Sequence, residues 1–107
     1  MEHFRFMKRI NKNYNEQGYI YFLSKKYNEL PLMQQVDIDE HCENVGGAYA
    51  EALKKYVTTD ISATAVCIKH CMSESTLSRL IKRYYDEFPE KLSAYLCPGN
   101  PNVMISL

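Results

Sequence analysis

From residue 77 to residue 88 the apolar side chains recur at one interval. Leu77, Leu80, Ile81, Tyr84, Tyr85 and Phe88 follow the i, i+3, i+4, i+7 spacing, which stacks them on one face of a helix. Ser75, Ser78, Arg79 and Lys82 fall on the other face. Ser73 stands where a side-chain oxygen can accept from the free N–H groups of the first turn, so the spacing predicts a helix over residues 74–87. Phe88-Pro89 stops it, because proline disfavours helix at the residue before it.

A shorter helical stretch precedes this one. Val66 and the small residue Cys67 face inward on it, and Cys71 and Met72 make the connection. Residues 61–88 therefore read as two helices and a tight turn. An apolar back with a front of hydroxyls and cations suits the DNA major groove, where cations meet phosphates or guanine edges and short hydroxyls permit close approach.

At these residues the chain resembles the helix-turn-helix of bacterial regulators, in particular the repressor-headpiece and stage III sporulation regulator types. Their pattern is met here by Cys67, Met72, Ser73, Thr76, Leu77, Ser78 and Arg79. Cys71 stands where these families place the turn glycine, and His70 where they usually bury an apolar residue. The resemblance covers roughly a third of the chain, counting the Tyr56-Val57-Thr58-Thr59 segment, which is similar to the end of the preceding helix. It implies an all-α domain, a small bundle of four to five helices, that binds double-stranded DNA. On that expectation Glu74, Ser75, Ser78 and Arg79 read bases, and Ser62, Thr64, Ser73, Thr76, Lys82 and Arg83 hold the backbone.

Charge placement agrees with this expectation. The formal net charge is zero, with 13 cations and 13 acids. Residues 27–51 carry six acids and no cation, whereas residues 1–26 and 52–83 each carry six cations and two acids. The second of these blocks contains the motif. The first, with Arg5, Lys8, Arg9 and Lys12, reads as a basic arm on DNA or as a frayed helix and loop, since Asn11, Asn13 and Asn15 favour turns.

After Gly18, the residues Tyr19, Phe22, Leu23, Tyr27 and Leu30 keep helical spacing up to Pro31, with Lys25 and Lys26 off the apolar face. From Ile38 to Tyr56 the same spacing holds, although Gly46 and Gly47 interrupt it, and one long helix over 38–58 or two shorter ones are both open. Asp37, Asp39, Glu40 and Glu43 stand near the start of that stretch, where carboxylates complement the helix dipole. A last short helix follows Pro89, and Cys97-Pro98-Gly99-Asn100-Pro101 ends regular structure. The organisation expected is one domain: residues 1–17 as arm or frayed helix, 18–60 as helical support, 61–88 as the motif, and 89–107 as short helix and tail.

Other chemistries find little support. Cys67, His70 and Cys71 share a helical face, yet structural zinc sites draw ligand pairs from separate elements, so no metal and no cofactor are expected. Phosphate loops and hydrolase signatures are missing, which argues against an enzyme. No apolar run approaches the roughly 18 residues that span a bilayer, and the four cysteines read as reduced thiols in a cytoplasmic protein of bacterial or phage type. The partner expected is double-stranded DNA, with a homodimer possible. Two alternatives stay open: a recombination or mobile-element accessory protein, and a protein-interaction module on the same scaffold using Ile68, the first helix and the tail.

Overall fold

The computed structural model describes residues 6–92, and five helices without a strand make up the fold among them. They are α1 (Tyr14–Lys25), α2 (Leu32–Gly46), α3 (Ala50–Thr58), α4 (Ala63–His70) and α5 (Glu74–Asp86). Single 3-10 turns at Tyr27–Glu29 and Gly47–Tyr49 join the first three, and a further helix has begun by residues 90–92. The expected small all-α bundle is what forms. No described helix is long and apolar enough to cross a membrane. The readings made for residues 1–5 and for the tail from 93 lie outside the described residues.

α1 starts at Tyr14, five residues before the Tyr19 at which its apolar spacing begins. Asn13, which reads locally as a turn former, is its N-cap: the Asn13 side chain accepts the Glu16 N–H at 2.8 Å, and the Glu16 carboxylate accepts the Asn13 N–H at 2.9 Å. This reciprocal pair satisfies two of the free donors at a helix start. Gly18 consequently lies inside the helix, and Gln17 points into the core. At the other end, Lys25 does more than clear the apolar face. Its ammonium donates to the carbonyls of Tyr56 and Thr59, closing the C-terminal end of α3 where a cation complements the dipole.

α2 also begins early, at Leu32 directly after Pro31, and this changes the role of the acidic residues. Asp37, Asp39, Glu40 and Glu43 fall in the body of the helix, with none in its first turn, so they are not dipole stabilisers. Asp37 instead pairs with Lys91 at 3.1 Å, and Asp39 pairs with Lys54 at 2.8 Å while accepting the Tyr27 hydroxyl at the same distance. The stretch from 38 to 58 is two helices. Gly47 makes the break, with φ +55° and ψ −121°, a conformation only glycine adopts without strain. Gly46 is still helical.

The core runs through all five helices. Ile20 and Leu23 from α1, Ile38 and Val45 from α2, Leu53 and Val57 from α3, Val66 from α4, and Leu77, Ile81 and Tyr84 from α5 are buried together. Two polar groups inside it are satisfied. The Ser24 and Tyr84 hydroxyls bond at 2.7 Å, and His41 Nε2 lies 2.8 Å from the Tyr84 carbonyl, which fixes that nitrogen as the donor. His41 also meets the rings of Tyr84 and Phe88. These contacts lock α5 by its back, leaving the opposite side outward.

Candidate nucleic-acid interface

The unit formed by α4, its turn and α5 is held by backbone geometry and three side-chain oxygens. Ser62 caps α4 by accepting the Ala65 N–H at 3.1 Å. Cys71 then takes the left-handed conformation, φ 54° and ψ 48°, and the Met72 N–H reaches back to the Cys67 carbonyl at 3.0 Å. For a residue with a Cβ this costs on the order of 1 kcal/mol, and burying Met72 behind the turn offsets it. Ser73 caps α5 through the Thr76 N–H at 3.1 Å. Thr64 of α4 donates to the Glu74 carboxylate of α5 at 3.1 Å, tying the starts of the two helices together.

At 100° per residue Ser75, Arg79, Lys82 and Asp86 lie opposite Leu77, Ile81 and Tyr84, and of these four Ser75 and Arg79 are exposed while Lys82 and Asp86 are half-buried. Not all ten expected site residues share this surface. Ser62, Thr64, Ser73, Glu74, Ser75 and Arg79 are exposed around the N-terminal half of α5, and half-buried Thr76 accepts from Arg79 Nη2 at 3.4 Å. Ser78 lies on one flank, half-buried. Arg83 lies on the other, donating to the Val45 carbonyl of α2 at 3.3 Å and to Glu87 at 3.1 Å. Lys82 is paired with Asp86 at 2.5 Å. Partial burial pushes the Asp86 carboxyl up, but the Lys82 ammonium and the Asn11 N–H outweigh it and hold it below the usual carboxylate value.

Five residues outside the expected set, Arg9, Ile10, Asn11, Lys12 and Gln17, shape this surface. Arg9 Nη2 donates to the Ser78 carbonyl at 3.1 Å, and the Asn11 N–H donates to Asp86 at 2.8 Å, so residues 9–11 lie along the Ser78 flank of α5. Ile10 between them is buried. The loop that carries them is closed by Gln17, wholly buried: its Oε1 accepts the Met7 N–H at 2.8 Å, and its Nε2 donates to the carbonyls of Met7 and Lys12, both at 2.9 Å. Arg9 thereby adds positive charge on the Ser78 flank of α5, and Lys12 lies close enough to act on the Asp86 carboxylate. No local pattern points to contacts across 69 and 75 residues; only the Lys82–Asp86 spacing of four is visible in the sequence.

The other basic concentration faces a cleft of about 460 Å³ between α3 and α4. Its lysines have local explanations: Lys54 pairs with Asp39, and Lys55 and Lys69 stand in the last turns of their helices, where cations offset the dipole. His70, half-buried, lines the same cleft. Among the described residues no cluster of His, Cys, Asp and Glu is arranged to hold a metal ion, and Cys42, Cys67 and Cys71 are unbridged. Burial pushes the Cys42 thiol up to about 12, leaving it unreactive. No family model matches this chain, and neither a curated protein nor a solved structure matches it.

Proposed function

We propose that the domain binds double-stranded DNA, inserts α5 in the major groove and acts as a small sequence-specific transcriptional regulator. The observation that carries the reading is the outer face of α5. Ser75 and Arg79 project, with half-buried Lys82 beside them, from a helix whose back is buried, whose start is capped by Ser73 and whose flank is lined by Arg9. Arg79 is the guanine-reading side chain, with Ser75 and Ser78 permitting close approach. Ser62, Thr64, Ser73, Thr76, Lys82 and Arg83 contact the phosphate backbone, Lys82 and Arg83 by exchanging their intramolecular acids for phosphate. Glu74, drawn towards Thr64, orients the two helices more than it reads cytosine. The protein works without a cofactor, in the cytoplasm, and a dimer places two α5 helices about one DNA turn apart.

Selection from randomised duplex DNA at two salt concentrations, with wild type and Arg79→Ala in parallel, tests the reading. Wild type should enrich one motif, and the variant should lose about 1 to 3 kcal/mol of discrimination at one base pair. Affinity should fall steeply with salt as condensed counterions are released. No enrichment and no binding at low salt would remove the DNA reading.

A further inference from the structure

The outward face of α2 exposes a cluster of apolar side chains. At 100° per residue, Leu32, Met33, Val36, Glu40 and Glu43 fall within one arc of about 100°, while Ile38, His41, Cys42 and Val45 turn to the core. Leu32 is 74% exposed, Met33 80% and Val36 43%. Single exposed apolar residues are ordinary, but three together on one helix face mark a contact surface.

The acids beside them indicate what the contact is. Asp37 and Asp39 are taken up by Lys91 and Lys54. Glu40 and Glu43 make no ion pair among the described residues, and both are exposed. The face is therefore apolar over its first turn and a half and anionic beyond that. Residues 27–51 contain no cation to offset it.

We propose that this face docks a basic amphipathic helix of another protein. Apolar residues of the partner cover Leu32, Met33 and Val36, and its lysines or arginines meet Glu40 and Glu43, in the helix-against-helix mode that reads anchors at i, i+3, i+4 and i+7. Charge argues against a second copy of this chain in that place. Parallel self-pairing of α2 sets acids on acids, and antiparallel self-pairing along its length lays the Glu40 and Glu43 carboxylates of each copy on the other's apolar end. The surface is opposite in sign to the front of α5, so the inference stands apart from the DNA reading.

The test uses two synthetic amphipathic helical peptides with the same leucine stripe, one filled with lysine and one with glutamate. Binding to the full chain is followed by fluorescence anisotropy, and the mass of the free protein by sedimentation. The lysine peptide should bind, Met33→Ser should weaken it about tenfold, and the double variant Glu40→Lys, Glu43→Lys should reverse the preference to the glutamate peptide. Circular dichroism of each variant should match wild type, since these side chains face water. Failure of the lysine peptide to bind, or binding indifferent to Met33→Ser, would overturn the proposal. A wild-type dimer dissolved by Met33→Ser would overturn it in favour of self-association.

Discussion

Replacing Gln17 by leucine isolates the clip that holds the N-terminal segment. The side chain is wholly buried and makes three hydrogen bonds, to the Met7 N–H and to the carbonyls of Met7 and Lys12. Leucine is of similar size and leaves no large cavity, so the loss is confined to those bonds. At roughly 0.5 to 1.5 kcal/mol each, and with half-buried Met7 able to recover some of its bonding from water, the expected destabilisation is about 2 to 3 kcal/mol. In a domain of this size that lowers the melting midpoint by roughly 10 to 20 °C. Thermal unfolding followed by circular dichroism measures the midpoint, and amide hydrogen exchange locates the loss. The Met7 and Asn11 amides should lose protection, the second because its bond to Asp86 depends on the same loop, while α3 and α4 keep theirs. A loss below about 0.5 kcal/mol, within the range of an ordinary surface change, would refute the reasoning. So would continued protection of Asn11.

Three further perturbations probe single features. Cys71→Gly relieves roughly 1 to 2 kcal/mol of left-handed strain and returns about 0.4 to 1 kcal/mol through unfolded-chain entropy; urea unfolding should show a net gain, and a loss would mean the turn is not strained. Gly47→Ala, at φ +55°, should cost about 1 to 3 kcal/mol, whereas Gly46→Ala meets Ala50 and Leu53 at ordinary contact distances of 3.5 and 3.6 Å and should be neutral or slightly stabilising; equal effects would contradict the placement of the break. Burial holds the His41 imidazole below its ordinary 6.5, so the unfolded chain takes up the proton first. Stability is then full above pH 6.5 and declines as acid carries the pH down towards the depressed folded value. His41→Gln, which keeps a donor for the Tyr84 carbonyl, should flatten urea midpoints between pH 7.5 and 5.5; an unchanged slope would assign it to another group.

The fold class, the back of α5 and the Ser73 cap are legible in the sequence, because each is decided by residues within a few positions of one another, whereas the place of Cys71 in the turn is marked only by the resemblance to the helix-turn-helix pattern. The start of α1 is ambiguous for a definite reason. Asn13 competes for backbone bonds wherever it stands, and only the Glu16 partner three residues on distinguishes a cap from a turn. The acids of α2 mislead because their role depends on where the helix starts, and Leu32 and Met33, being exposed, carry no core signal to mark it. The candidate interface divides in the same way. The exposure of Ser75 and Arg79 follows from helical phase, but the diversion of Arg83 to Val45 and the arrival of Arg9 beside Ser78 belong to tertiary packing.

The bonds from Arg9 and Asn11 to α5 also bear on the order of events as the chain is made. Their partners are 69 and 75 residues downstream, so residues 9–11 are made well before the side of α5 to which they bond. At a translation rate of about 5 to 20 residues per second, that segment waits several seconds before its partners exist. Contacts this distant in sequence contribute late to folding, because the loop must close before they give any return. The ladder of helices α1 to α5 can assemble first, and the N-terminal segment then acts as a latch that closes only over a finished α5.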